Sequence, residues 1–248
     1  MKMNRLSQPP LPPGLLSEAV DWAITSRRSI RAFLPTPVPV QVIEEILNVA
    51  RFCATGVNMQ PWHVHVVTGK VKDDLSRAIA HVDNDPSMST QLADAYEYYP
   101  RKWTAPFIDR RRKVGWELYG LLGIEKGDKQ RMHEQHGRNY RFFDASVGLI
   151  FTMSRVLQEG SLLDYGMFLQ NVMTAARGRG LDTCPQAAFL KYHQVISDVL
   201  KIPSDQMLVC GMSLGYADET RAENTLVTER EPVSAFTTFH HNNKETTA

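Results

Sequence analysis

Residues 26–33 read S-R-R-S-I-R-A-F, placing Arg27, Arg28 and Arg31 beside Ser26 and Ser29 within six positions. Pro35, Pro37 and Pro39 follow at once. Prolines at that spacing remove the amide donors a helix needs and push each preceding residue toward extended backbone. The basic cluster therefore belongs to an extended loop. Alternate residues of an extended segment face the same way, so Arg27, Ser29 and Arg31 project together. Guanidinium forks, a hydroxyl and free loop amides match a phosphate monoester in charge and shape. A solubilising loop is the competing reading, and taken alone these residues fit both equally.

Around this segment the composition is ordinary. The 248 residues are 43% apolar and 22% charged, enough to bury a real core. A net charge of +1 supplies no global field to recruit nucleic acid or an anionic membrane. No apolar run in the sequence approaches the ~18 residues of a membrane span. Prolines also interrupt the first residues where a signal peptide would carry its apolar core. Cys53, Cys184 and Cys210 are dispersed and form no C-x-x-C pair. They support neither a disulfide framework nor a zinc knuckle, and a reducing cytoplasm is the expected compartment.

Residues 1–16 read as an extended, proline-rich arm. Ser17 is expected to cap a helix running to about Ser26, with Val20, Trp22, Ala23 and Ile24 as its apolar content. Residues 40–52 put Val42, Ile43, Ile46, Leu47 and Ala50 on one helical stripe. Gly56, Asn58 and Pro61 break that pattern, and Trp62, Val64 and Val66 then alternate with His63 and His65 as in a strand. Residues 82–143 mix aromatic and charged side chains with weaker periodicity, as a mostly helical insert would. Residues 145–153 read as a buried strand. Ser161 opens a helix carrying Leu162, Tyr165, Leu169, Val172 and Ala176, which Gly178 and Gly180 close. A short helix at 193–201 and a strand at 206–216 complete the pattern, and 241–248 read as a polar tail. Helices separated by a few strands predict an α+β fold, with 17–240 as a single domain.

The common site motifs are missing. Gly178 and Gly180 begin a G-x-G that ends a helix instead of opening one, and no phosphate loop or G-x-S-x-G follows. His63 and His65 have no identifiable carboxylate or thiol partner, so a polar strand face is favoured over a metal site. Arg110, Arg111, Arg112 and Lys113 splay around a helix, which favours a solvated face. Cys184 lacks a visible activating environment and reads as a packing residue. If the chain is an enzyme, its chemistry is expected to belong to a cofactor.

Five segments read in order narrow the choice: S-R-R-S-I-R-A-F at 26–33, G-V-N-M-Q-P-W-H at 56–63, G-L-D-T-C-P-Q-A-A-F at 180–189, G-M-S-L-G-Y-A-D at 211–218 and T-E-R-E-P-V at 228–233. Together they resemble the nitroreductase family over roughly residues 17–240. The resemblance implies a mixed, mainly antiparallel sheet surrounded by helices and an intertwined homodimer with FMN at each interface. It carries FMN-phosphate binding to Arg27, Ser29 and Arg31, with Arg28 acting chiefly through its backbone, and to Arg230. It carries ribityl or flavin contacts to Asn58 and Gln60, the latter pair reaching from the second subunit. Pro185, Gln186 and Ala187 would lie near flavin N5, and Gly211 would allow a close backbone approach to the cofactor. Tyr96, Tyr99, Trp103 and Phe107 of the insert are candidates to stack on a planar aromatic substrate.

The chain departs from the family pattern at Ala54 and Thr55, where many members have Pro-Ser, and at Thr228, where many have a basic residue. The implied activity is reduction of nitroaromatic or related planar acceptors by NADH or NADPH, in a ping-pong cycle through flavin N5. Quinone or enone reduction, reductive dehalogenation and FMN-consuming oxidation are the alternatives on the same fold. Outside catalysis, the alternatives are flavin sequestration and nucleic-acid binding by residues 27–31 and 110–113, the latter opposed by the near-zero net charge.

Overall fold

The computed structural model describes residues 12–240. Four strands, β1 (His63–Thr68), β2 (Val147–Ser154), β3 (Asp182–Gln186) and β4 (Gln206–Gly215), form an antiparallel sheet in the order β1-β2-β4-β3. An isolated parallel bridge between Ser29 and Thr183 lays the arginine loop against β3. Around it stand α1 (Pro13–Thr25), α2 (Val40–Ala50), α3 (Gly69–Asp83), α4 (Pro86–Ser89), α5 (Phe107–Leu121), α6 (Lys129–Gly137), α7 (Gly160–Arg177) and α8 (His193–Leu200).

The sheet is covered on both faces, so β2 and β4 read as continuous apolar runs and not as alternating ones. Leu149, Phe151 and Met153 of β2 join Met212 of β4 and pack with Ile46 of α2 and Phe168 and Val172 of α7. Ile150 points the other way, into a cluster with Leu75 and Ile79 of α3, Phe189, and Ile196 of α8. Each such side chain contributes about 1.5–3 kcal/mol on burial.

On that second face two glycines make room for rings. A Cβ on Gly148 would come within 2.5 Å of the Phe142 ring, and one on Gly211 within 2.3 Å of the Phe189 ring. The two rings lie 4.8 Å apart. Phe142, Phe143 and Asp144, at the end of the insert, take left-handed backbone with φ of 54°, 52° and 69°. That geometry costs about 1–2 kcal/mol per residue, and burial of both phenylalanine rings offsets it. Just before them, buried Arg138 donates to buried Glu223 at 2.6 Å and ties the insert to the segment after β4.

Several element boundaries differ from the sequence expectation. α1 starts at Pro13, inside the expected arm, because proline at a first helical position lacks only an amide that would go unpaired there anyway. Ser17 does not cap it; its hydroxyl donates to the Gly14 carbonyl at 2.9 Å. Val20, Trp22 and Ile24 are about half exposed, and Ala23 alone of the four is buried. α7 begins at Gly160 without a side-chain cap, and Ser161 is buried within it. Residues 1–11 of the arm and the tail at 241–248 lie outside the described residues. Among the described residues no helix is long and apolar enough to cross a membrane.

Candidate functional site

The arginine loop is pinned along its length. The Ile30 amide donates to the Thr183 carbonyl at 3.1 Å, and the Leu34 amide to Tyr216 at 2.8 Å. Ile30 and Ala32 are buried, while Arg27, Ser29 and Arg31 line one cavity, which Arg28 of the opposite parity lines as well. Asn224 locks the far side. Its Oδ1 accepts from the Arg31 amide at 2.8 Å and its Nδ2 donates to the Ala32 carbonyl at 2.8 Å. Arg28 donates to the Asn224 carbonyl at 3.1 Å. At the start of the loop Arg177 bonds both Ser26 and Asp182, with its guanidinium over the Trp22 ring.

This loop and the T-E-R-E segment enclose a cavity of about 380 Å³. Its lining includes Arg27, Arg28, Arg31 and Arg230 and no carboxylate. Burial, and after it the charge of Arg230, lower the pKa of Arg27. Arg230 curls so that Nη1 donates to the Thr228 hydroxyl at 2.8 Å. Thr228, which stands where many family members carry a base, is therefore a holder of the arginine.

Arg31 also lines a second cavity of about 400 Å³, walled by Pro185, Gln186 and Ala187 and by the rings of Tyr99, Tyr119 and Tyr140. Lys191 and Asp94 are its other charged groups besides Arg31. Burial holds His136, also in this wall, below its ordinary pKa, so it enters as neutral imidazole at neutral pH. Cys184 lies beneath the wall; burial pushes its thiol up to about 11, which makes it the packing residue expected and no nucleophile.

The structure treats the remaining site candidates unevenly. The Gln186 side chain is buried and committed: Nε2 donates to the Asn139 carbonyl at 2.8 Å, and Oε1 accepts from Ser213 at 2.7 Å. Only its main chain is left to face the cavity. Gly211 is buried in β4, and the space of its missing side chain holds Phe189, a packing reason for the glycine. Asn58 and Gln60 line neither cavity. They sit on an exposed turn where Val57, Asn58 and Gln60 all have positive φ, held by the Asp164 carboxylate accepting from the Gly56 amide at 2.9 Å.

Of the four aromatic candidates, Tyr99 lines the second cavity. Tyr96 instead donates to the Val209 carbonyl at 2.8 Å and faces a separate groove. Trp103 lies under the Arg111 guanidinium, and Phe107 opens α5. Asn139, Tyr119, Tyr140, Lys191 and Asn224 were not anticipated; nothing local in their sequence marks them, since each is brought to the site by packing.

The description "Nitroreductase family" matches residues 24–216. The 4-nitrobenzoate reductase of Pseudomonas putida is 44% identical over 225 residues, which cover 91% of this chain and 97% of that protein. The chloronitrobenzene nitroreductase of Comamonas testosteroni is 40% identical over 225 residues, covering 91% and 98%. Among solved structures, the FMN and NADPH-dependent nitroreductase NfnB from sphigopyxis sp. strain HMH superposes with a TM-score of 0.86 at 33% identity, over 90% of this chain and 99% of that one. The FMN-dependent NfnB from Mycobacterium smegmatis in complex with NADPH gives 0.85 at 27% identity, over 91% and 100%. Sequence and fold thus agree along nearly the whole described chain, and the chain belongs to the nitroreductase family.

Proposed function

We propose that this protein is an FMN-dependent nitroaromatic reductase that draws on NADPH or NADH and works as a cytoplasmic homodimer. One observation carries the reading: a cavity of four arginines without a carboxylate shares Arg31 with a second cavity that has aromatic walls. FMN fits this pair of cavities. Arg27, Ser29 and Arg230 would hold its phosphate, and the like charges of Arg27 and Arg230, close enough to lower the pKa of Arg27 alongside its burial, support an anion there. Arg31 would face the ring system, with Pro185, Gln186 and Ala187 along its edge. When bound, FMN supplies hydride acceptance and hydride donation at N5.

The chain's own part is to bind and orient. Tyr99 and Tyr119 of the insert offer flat apolar walls to a planar acceptor. The relatives named for 4-nitrobenzoate and chloronitrobenzene support a nitroarene as acceptor, and both NfnB structures support NADPH as donor. We read residues 17–240 as one FMN-binding unit with 82–143 as its insert.

Two features support the dimer. Trp22 and Ile24 of α1 are about half exposed and Leu163 of α7 is more so, large apolar side chains of the kind that partners cover. The turn with Asn58 and Gln60 is held rigidly outward, with Val57 93% exposed at a positive φ, as a segment reaching a partner's flavin would be. The three free cysteines suit a reducing compartment.

The test is direct. The purified protein should show flavin absorption in the visible, lose it on addition of NADPH or NADH, and regain it with 4-nitrobenzoate. A protein that gains no flavin absorption after incubation with FMN refutes the reading. Bound flavin that neither nucleotide bleaches would show a sequestering protein instead. Light scattering should give twice the 28.1 kDa chain mass.

A further inference from the structure

The basic run on α5 forms two specific contacts. Arg110 meets Glu231 at 2.7 Å and Lys113 meets Glu229 at 2.6 Å. Arg110 and Lys113 are three residues apart on a helix, so they share a face. Glu229 and Glu231 are the two neighbours of Arg230, which instead lines the phosphate cavity beside Arg27. The segment is thus anchored to α5 immediately before and immediately after Arg230, the one cationic residue it brings to the cavity. Its guanidinium is held as well: Nη1 donates to the Thr228 hydroxyl and to the Glu229 carbonyl, both at 2.8 Å. Among the described residues these bonds all use Nη1 and leave Nε and Nη2 for an anion.

We propose that Arg110 and Lys113 are positioning residues for the FMN phosphate, acting through Glu231 and Glu229 to hold Arg230 at the cavity. The proposal rests on the FMN reading above. All four partners are substantially exposed, and an isolated exposed ion pair adds little to stability. Their effect here lies elsewhere. A chain segment without regular structure would have to be ordered when the phosphate binds; two anchors order it beforehand, so less conformational freedom is lost on binding.

A rival account makes the same residues a mere electrostatic field around an anion site, and the two differ in sign. Neutralising the glutamates makes the region more positive, which by field alone tightens FMN. Loss of the anchors loosens it. The experiment titrates the full-length chain with FMN, and separately with riboflavin, by flavin fluorescence quenching. It compares wild type, Glu229→Gln/Glu231→Gln, and the charge exchange Arg110→Glu/Lys113→Glu/Glu229→Lys/Glu231→Arg. The glutamine pair should raise the FMN Kd about tenfold, a part of what one charged hydrogen bond contributes. Riboflavin, which lacks the phosphate, should bind as to wild type, the thermal midpoint should stay put, and the charge exchange should restore FMN affinity. Unchanged or tighter FMN binding by the glutamine pair overturns the proposal, as does an equal loss for riboflavin or a charge exchange that restores nothing. A wild-type chain that binds neither flavin would instead overturn the FMN reading itself.

Discussion

Replacing Gly211 with alanine separates a packing role from a cofactor role at one position. The added Cβ would stand 2.3 Å from Phe189 Cδ2, 2.7 Å from Cε2 and 3.1 Å from Cγ, where ordinary contact begins at 3.4 Å. The ring edge would have to retreat by about 1.1 Å (3.4 − 2.3). Phe189 is fully buried and has the Phe142 ring 4.8 Å away, itself seated over Gly148, so the retreat meets another filled site. Overpacking a core costs about 1–3 kcal/mol, and this overlap with ring carbons belongs at the upper end. For a chain of this size each kcal/mol moves Tm by roughly 2–4 °C. Gly211→Ala should therefore melt about 5–10 °C below wild type in thermal unfolding followed by circular dichroism. The FMN Kd of the folded variant should change little. Adding Phe189→Leu, which removes the overlapping ring atoms, should recover part of the loss. A Gly211→Ala protein that melts with wild type yet loses FMN would refute the packing argument and return the glycine to the cofactor.

Other substitutions probe the remaining contacts. Arg27→Ala and Arg230→Ala should each raise the FMN Kd by about 10- to 100-fold, the value of charged hydrogen bonds at about 1.5–3 kcal/mol, with little change in Tm; unchanged Kd in both counts against the phosphate cavity. Glu223→Gln breaks a buried ion pair with Arg138 and should cost about 3–5 kcal/mol in urea unfolding. Burial alone would raise the Glu223 carboxyl, but its own backbone amide, the Arg138 hydrogen bond and the Arg221 and Arg138 charges outweigh burial and hold it below its ordinary 4.5. The stabilisation is therefore complete above pH 4.5 and is lost as pH falls through the lowered folded value. Acid titration of Glu223→Gln should lack that fall, and an identical acid profile would show the pair to be irrelevant. Tyr96→Phe should lose about 1 kcal/mol of stability with the Val209 bond and keep its KM for a nitroarene. Tyr99→Ala should raise that KM with stability unchanged; the opposite pattern would exchange their roles.

Much of the site was legible because its elements are short and ordered along the chain. Prolines at 35, 37 and 39 excluded a helix after the arginines, and the loop that results brings Arg27, Ser29 and Arg31, with Arg28, to one cavity. Apolar runs at β2 and β4 and the stripes of α2 and α7 were visible for the same reason: their periodicity is a local property of backbone geometry. β3 escaped such reading, since a five-residue strand containing Pro185 shows no alternation and gains its place from β4.

What stayed hidden was the identity of partners. Asn224 clamps the Arg31 amide from 193 positions away, and Glu231 meets Arg110 across 121. Tyr96 and Tyr99 look alike in sequence, yet one hydroxyl is consumed by a strand carbonyl and the other ring walls a cavity. Gly211 looked like a place for a ligand until Phe189 was found in it. Backbone preference and residue chemistry act over a few positions, so a sequence can declare which segments extend, which coil and which could bind an anion. Which side chain satisfies which group is settled when distant segments pack, because burial, hydrogen bonding and charge pairing are properties of the neighbours that the fold supplies.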